Sequence, residues 1–312
     1  MYREINTLNM KRLIILFILF AANSSIAQNP IISGGKIIRY ENFRSGFVDA
    51  RNVDVWLPDG YKLGKKYAVL YMHDGQMLFD STHTWNHQEW GVDETMTKLQ
   101  KEGRIKDCIV VAIWNIPEKR FAEYFPQKII DSIPEVTRNK ILSNQLKVNP
   151  QADNYLKFLV RELKPFIDSN YSTIRDAGHT FIMGSSMGGL ISLYALCEYP
   201  GVFGGAACLS IHSPLSSFEL IDKNTDADVA SKFRNYLMRN LPKANTRKIY
   251  FDYGNQTGDS FYAPYQKALD SVMVLKGYTS SHWITRYFPG EDHSERSWKK
   301  RLNIPVMFLL KK

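Results

Sequence analysis

The 312-residue chain is poor in cysteine, with three in all. Cys108, Cys197 and Cys208 each lie in an apolar segment, which is typical of a small buried side chain. Their odd number provides no disulfide framework, and none has the C-x-x-C spacing of metal or redox sites. The sequence therefore predicts no cofactor and no metal held by cysteine.

The chain also lacks a concentrated basic surface. Its net charge is +9, but the lysines and arginines are scattered along its length without a stripe of interleaved aromatic residues. The largest groups, at 299–301 and 311–312, are typical of the solvated face of a helix. A nucleic-acid partner is therefore not expected.

The N-terminal apolar run is too short to span a membrane. Leu13 to Ala22 falls well below the roughly 20 residues that cross a bilayer. Lys11-Arg12 precedes this run and Ser25-Ile26-Ala27 follows it, which is the order of a cleaved export signal. We expect residues 1–27 to be removed, leaving a periplasmic or secreted chain with no stable membrane insertion. The translation start is either Met1 or Met10.

Apolar runs alternate with amphipathic segments through the chain. Tyr67 to Met72 and Cys108 to Trp114 suit strands that are covered on both faces, whereas 154–167 has helical spacing. This alternation predicts an α/β fold with a doubly wound, mostly parallel central sheet and helices on both faces. Further strands are expected within 31–58 and at 180–183, 204–210, 248–253 and 283–288, and further helices at 94–100, 187–197, 261–275 and from 294 onward, the last interrupted by Pro305.

Residues 28–312 are expected to form one domain, because no break in composition and no repeat divides them. The segment 117–150 has weak periodicity and several prolines. An excursion of that length in a compact domain predicts a lid or binding insertion over the sheet edge, with a disordered loop as the alternative.

A Gly-x-Ser-x-Gly turn occupies residues 184–188, with Ser186 at its centre. An apolar strand precedes the turn and an apolar helix follows it, which is the order of a nucleophile elbow. The pattern predicts that Ser186 is a nucleophile, and a structural Gly-Ser turn is the alternative.

A serine nucleophile needs a base and an acid that orients the base. In the chain order serine, acid, histidine, the base is expected in the loop after the last strand, where His293 lies. A solvent-exposed histidine at a helix start is the alternative. Asp259, in the loop after strand 248–253, is favoured as the acid over Asp252 within that strand; Asp259 could instead only cap the following helix.

Acyl transfer also needs donors for the developing oxyanion. The backbone N–H of Met187, directly after the serine, is the first candidate. The second is the backbone N–H of Gln76 in the loop His73-Asp74-Gly75-Gln76.

Several segments together resemble the family of esterase D and carbohydrate esterase family 1. They are "YMHDGQMLFD", "EWGVDE", "YLKFLVRELKPFID", "GSSMGGL" and "FDYGNQTGD". The family includes feruloyl and acetylxylan esterases, siderophore trilactone esterases and mycolyltransferases. The resemblance runs from about Asp54 to the C-terminus and implies an α/β-hydrolase fold. It also implies a triad of Ser186, Asp259 and His293, with an oxyanion hole formed by the backbone of Gln76 and Met187.

Five residues are substrate-binding candidates because they lie in or near the loops that carry the predicted catalytic groups. They are Asp74, Trp85, Trp90, His212 and Tyr262. The aromatic and polar cluster after the oxyanion loop suits stacking on a sugar or an aromatic acyl group. His212 stands where relatives often carry Ser-Pro, and it either projects towards the pocket or is a structural histidine. His83 and His87 are four residues apart but lack an H-E-x-x-H pattern, so no metal is predicted.

The sequence thus predicts an exported serine carboxylesterase that removes acetyl or feruloyl groups from carbohydrate esters through an acyl-enzyme on Ser186. The expected partner is a small-molecule or oligosaccharide ester. A siderophore trilactone esterase, an acyltransferase and a non-catalytic carbohydrate-binding relative are the alternatives. Nothing in the sequence indicates the oligomeric state.

Overall fold

The computed structural model describes residues 30–215 and 223–312. For residues 223–228 the description is of the backbone alone. The predicted export signal, residues 1–27, lies outside the described part of the chain. Within that part, no helix is both long and apolar enough to cross a membrane.

One eight-stranded sheet forms the centre of the fold, in the order β1-β2-β4-β3-β5-β6-β7-β8. The strands are β1 (Lys36–Phe43), β2 (Arg51–Leu57), β3 (Ala68–His73), β4 (Cys108–Ile113), β5 (Thr180–Ser185), β6 (Gly205–Leu209), β7 (Lys248–Tyr253) and β8 (Trp283–Tyr287). The pairs β1·β2 and β2·β4 are antiparallel, and every later pair is parallel. The predicted α/β fold with a mostly parallel sheet is confirmed.

Helices cover both faces of the sheet. They are α1 (Val92–Lys101), α2 (Arg120–Tyr124), α3 (Gln127–Ile130), α4 (Glu135–Ile141), α5 (Ala152–Lys157), α6 (Lys164–Asn170), α7 (Met187–Glu198), α8 (Lys223–Asn240), α9 (Ala263–Leu275), α10 (Glu295–Arg301) and α11 (Asn303–Leu310). Wide π-helical turns at 142–146 and 158–163 follow α4 and join α5 to α6.

Two apolar layers explain why the central strands read as continuous hydrophobic runs. One layer packs residues such as Val69 and Ile182 against α7 and the segment around α3, and the other packs Leu70 and Met183 against α1 and α11. All residues of β3, β4, β5 and β6 are buried as a result. Successive side chains of a strand point to opposite faces, so both sets must be apolar.

The segment 117–150 consists largely of short helices that pack into the core. Phe125, Ile129 and Ile130 are fully buried there. In α2, the Glu123 carboxylate accepts hydrogen bonds of 2.7 and 2.6 Å from the Arg51 guanidinium, and both side chains are almost completely buried. This ion pair attaches the segment to β2. That the segment acts as a lid stays a prediction.

Two helical features differ from expectation. Helix α8 was not predicted, because its many charged and polar residues obscure an apolar stripe. The C-terminal helix is interrupted, as expected, but the interruption is at Leu302, between α10 and α11, and not at Pro305. Pro305 lies in the first turn of α11, where a missing N–H costs no helical hydrogen bond.

Glu123→Ala is expected to lower the free energy of unfolding by about 3–5 kcal/mol, because it leaves the Arg51 guanidinium buried without its partner. Urea denaturation measures the loss. Lys65→Ala, which removes a solvent-exposed ion pair with Asp107, is the control and should cost less than about 1 kcal/mol. Similar losses in the two variants would contradict a structural role for the buried pair.

Candidate active site

Ser186 lies at the sharp turn between β5 and α7. Its backbone has φ 55° and ψ −122°, a conformation that non-glycine residues rarely adopt. The turn is held by the Ser186 N–H, which donates to the Leu209 carbonyl at 2.9 Å. A Cβ atom at Gly184 would lie 2.6 Å from the backbone of Gly188, so only glycine permits this approach at 184.

His293 and Asp259 are joined by a hydrogen bond of 2.6 Å between Nδ1 and Oδ1. The loops after β7 and β8 bring them together, and the His293 N–H donates to the Thr257 hydroxyl at 2.9 Å. The His293 ring also packs edge-on against Tyr262 and Trp298, with ring centroids 5.6 and 5.1 Å away. These contacts hold both the position and the orientation of the imidazole.

Asp252 has different partners. Its carboxylate accepts hydrogen bonds of 2.9 Å from both the Arg301 guanidinium and the Tyr250 hydroxyl. Burial raises the pKa of Asp252, although Arg301 opposes that rise. Of the two aspartates considered from the sequence, the one that contacts His293 is therefore Asp259.

Ser210, directly after β6, is a site residue that the sequence analysis missed. Its hydroxyl donates to Oδ2 of Asp259 at 2.7 Å and accepts from Trp298 Nε1 and Arg301 Nη2, both at 3.0 Å. One donated and two accepted bonds use the whole capacity of a hydroxyl group. Ser210 thus links the carboxylate that contacts His293 to α10. Its position at the end of a parallel strand, as for the other site loops, was the available signal.

Of the two predicted oxyanion donors, Met187 directly follows Ser186 and Gln76 borders the same cavity as Ser186. Met187 is the first residue of α7, so its N–H belongs to the helix end that has no acceptor within the helix. Gln76 lies in the short helical turn Gly75–Met77 after β3. A Cβ atom at Gly75 would come within 2.7 Å of the β4 backbone, so the turn requires glycine there. The side chain of Gln76 also matters, because its Oε1 accepts from the Asn115 N–H at 3.1 Å.

Asp74 borders the same space, but its carboxylate is already paired. It accepts hydrogen bonds of 2.8 Å from both Nε and Nη2 of Arg120, and one of 2.6 Å from Asn115. Burial alone would raise the pKa of Asp74, but Arg120 holds that pKa below its ordinary value. Burial lowers the pKa of the neighbouring His73 to about 3, so its imidazole is neutral.

A cavity of about 570 Å³ contains both Ser186 and His293. Trp85 lies at its edge with 83% of its surface exposed, whereas Trp90 is 2% exposed and packs its ring 5.4 Å from Trp298. The cavity is also bordered by Asp74, Gln76, Asn115, Arg120 and Phe121.

The other two binding candidates lie deeper. His212 and Tyr262 are buried, and Nδ1 of His212 is 3.0 Å from the Tyr262 hydroxyl. Burial raises the pKa of Tyr262, and its phenol also hydrogen-bonds the Ser186 hydroxyl, which opposes that rise. The Tyr262 and His212 side chains therefore lie beneath the surface next to Ser186, and they do not line the open cavity.

The described residues include no group of three or more histidine, cysteine, aspartate or glutamate side chains placed to hold a metal ion. The three cysteines are buried, as the sequence predicts.

Several solved structures share this architecture. A ferulic acid esterase has a TM-score of 0.61 and 19% identity, covering 89% of this chain and 98% of its own. A CE1 ferulic acid esterase from Anaeromyces mucronatus in complex with ferulic acid has a TM-score of 0.57 and 20% identity, covering 88% and 90%. The enterobactin esterase FES from Shigella flexneri has a TM-score of 0.61 and 17% identity, covering 90% and 60%. These likenesses place the chain among proteins with the α/β-hydrolase fold.

Sequence comparison defines the family. The family described as "Putative esterase" matches residues 46–307, and the chain belongs to it. Two uncharacterized proteins of Bacillus subtilis strain 168, YbbA and YjcH, are each 24% identical, over 161 and 172 residues. The matches cover 51% and 55% of this chain and 56% and 60% of those proteins, so the chain spans little more than half the length of these curated relatives.

Arg120→Gln is expected to destabilise the protein more at pH 7 than at pH 3. The folded-state pKa of Asp74 is lowered, so the ion pair contributes fully above the ordinary aspartate pKa of about 3.9 and is lost as pH falls through the lowered value. The loss at pH 7 should be about 3–5 kcal/mol. Urea denaturation at both pH values measures it. Lys119→Gln, at an exposed pair one residue away, should show little change; a pH-independent loss in Arg120→Gln would refute the account.

Proposed function

We propose that the protein is a serine carboxylesterase in which Ser186 is the nucleophile, His293 the general base and Asp259 the acid that orients it. The observation that carries the proposal is the 2.6 Å hydrogen bond between His293 and Asp259 beside a cavity that also contains Ser186. The family match adds independent support for ester hydrolysis.

The reaction follows from these positions. His293 Nε2 takes the proton of the Ser186 hydroxyl as its Oγ attacks the ester carbonyl carbon. The carbonyl oxygen becomes an oxyanion, which accepts hydrogen bonds from the N–H groups of Met187 and Gln76. Collapse of the tetrahedral intermediate breaks the bond to the alcohol, which leaves with the proton from His293. Water then attacks the acyl-enzyme by the same route and releases the acid and free Ser186.

Asp259 keeps the imidazole in the tautomer that carries its proton on Nδ1, so that Nε2 is free to accept. Its own carboxylate is buried and receives two further hydrogen bonds, from Ser210 Oγ at 2.7 Å and the Gly254 N–H at 2.6 Å. These bonds fix the position of the carboxylate, which in turn stabilises the imidazolium formed during attack.

For the substrate, we propose a carbohydrate ester that carries an acetyl or feruloyl group. The solved structures named as ferulic acid esterases and the exposed Trp85 ring at the cavity edge support this assignment. The likeness to an enterobactin esterase supports the siderophore alternative. We favour the carbohydrate ester because Arg120, the cation at the cavity wall, is already neutralised by Asp74 and leaves no positive charge for an anionic siderophore.

We further propose that the enzyme acts outside the cytoplasm, in the periplasm or the medium. Support for this comes from the sequence of residues 1–27, with its basic pair, short apolar run and small-residue cleavage site.

Ser186→Ala and His293→Gln should each lower kcat for p-nitrophenyl acetate by about four to six orders of magnitude, because each removes a group that acts in the transition state. Steady-state kinetics on purified protein measures this. His282→Gln, at a histidine outside the cavity, is the matched control and should retain full activity. Hydrolysis by Ser186→Ala at the wild-type rate would refute the proposed mechanism.

Three variants around the acid should form a graded series. Asp259→Asn should lower kcat by about 10⁴, because a neutral amide does not stabilise the imidazolium. Ser210→Ala should lower kcat by about tenfold to a hundredfold, because Asp259 loses one positioning bond. Asp252→Asn should mainly lower the free energy of unfolding, because it faces Arg301 rather than His293. Kinetics and urea denaturation separate the effects, and a larger kcat loss in Asp252→Asn than in Asp259→Asn would reverse the assignment.

A further inference from the structure

A second cavity of about 590 Å³ adjoins the one that contains Ser186. It lies beyond the oxyanion turn, and neither Ser186 nor His293 borders it. The two cavities share a wall, formed by Gln76, Met77, Trp85, Asn115 and Pro117. The second space therefore lies directly beside the one that contains Ser186.

Indole rings border the second cavity. Trp85 belongs to both cavities and is 83% exposed, which is unusual for so large an apolar surface. Trp114 is held rigidly, because its Nε1 donates to Asp54 Oδ2 at 2.9 Å and the Arg39 guanidinium lies 4.8 Å from its ring centroid. Flat, fixed or exposed indole faces are suited to stacking on another ring.

The charged side chains around the second cavity already have partners within the protein. Arg39 donates to both oxygens of Asp54, at 2.7 and 2.8 Å. The Asp80 carboxylate accepts hydrogen bonds from the Ile31 N–H at 2.8 Å, the Thr82 N–H at 2.9 Å and the Thr82 hydroxyl at 2.7 Å, and His83 lies 3.8 Å away. Arg39, the arginine among the described lining residues, therefore already has a carboxylate beside it, so an uncharged ligand is favoured over an anionic one.

The shared wall carries one hydrogen-bond donor and one acceptor that remain open. Gln76 uses Oε1 to accept from the Asn115 N–H, so its other end is the Nε2 donor. Asn115 uses Nδ2 to donate to Asp74, so its other end is the Oδ1 acceptor. Among the described residues these two ends have no hydrogen-bond partner. A hydroxyl group both accepts and donates, so hydroxyl groups on a ligand match both of these open ends.

We propose that the second cavity is a subsite for an uncharged ring that bears hydroxyl groups, stacked on Trp85 and bonded to the side chains of Gln76 and Asn115. This inference rests on the proposed esterase function and specifies one part of its substrate. A sugar residue on the alcohol side and a hydroxyphenyl group on the acyl side share this chemistry. Acetate has no ring and does not use the subsite.

Binding measured on the Ser186→Ala protein tests the subsite without hydrolysis. Isothermal titration calorimetry would compare xylotriose, methyl ferulate and the anionic 2,3-dihydroxybenzoate. We expect xylotriose, methyl ferulate or both to bind, at least about tenfold more tightly than the anion. Adding Trp85→Ala should weaken the neutral ligand that binds by about tenfold, which corresponds to the loss of one ring stack. The ligand that is weakened identifies the sugar or the acyl group as the occupant.

Two further variants sharpen the test. Gln76→Glu keeps the acceptor for the Asn115 N–H but replaces the open donor with a carboxylate oxygen, and should weaken the same ligand by about tenfold. Leu63→Ala, at a residue as exposed as Trp85 but outside both cavities, should leave binding unchanged.

Failure of the subsite and failure of the esterase are distinguishable. No measurable binding of either neutral ligand, or equal binding with and without Trp85, overturns the subsite even if the wild type hydrolyses p-nitrophenyl acetate through Ser186. Tight binding of the anion overturns the assigned ligand class. Conversely, wild-type hydrolysis by Ser186→Ala overturns the esterase mechanism and leaves the binding result intact.

Discussion

The common direction of the parallel strands is the constraint on which the site depends. Strands β3, β5, β6, β7 and β8 run parallel, so the segments that follow them meet at one edge of the sheet. Each contributes one group: Gln76 after β3, Ser186 after β5, Ser210 after β6, Asp259 after β7 and His293 after β8. Residues more than two hundred positions apart, such as Gln76 and His293, border one cavity as a result.

A single hydroxyl couples this edge to the packed interior. Ser210 bonds Asp259 on one side and Trp298 and Arg301 on the other, and all three partners are almost fully buried. Buried polar groups of this kind stabilise the fold only when each has its hydrogen-bond partners. Here the bond from Ser210 also orients Asp259, the carboxylate that contacts His293. The turn Gly75–Met77 has a comparable arrangement, because Asn115 contacts both Asp74 and Gln76.

Local patterns predicted much of the fold and part of the site. The α/β class and every strand of the parallel sheet followed from apolar runs, and Ser186 from glycines that a tight turn requires. Helix α8 was missed because its charged residues conceal its periodicity, and the break at Leu302 was assigned to Pro305. Ser210, Arg120 and Trp114 were missed for another reason. Serine, arginine and tryptophan occur in many environments, and these three acquire a role only through neighbours that are distant in the chain.

The sequence by itself determined the order of the parallel strands, the Gly-x-Ser-x-Gly turn and the family resemblance, because each depends on residues close together in the chain. Tertiary structure decided which aspartate contacts His293, since Asp252 and Asp259 differ only in what folding places beside them. It also decided that Asp74 is paired with Arg120, and that a second cavity with indole walls lies past Gln76. These are properties of enclosed space and of buried charge, and both exist only after the sheet edge has assembled.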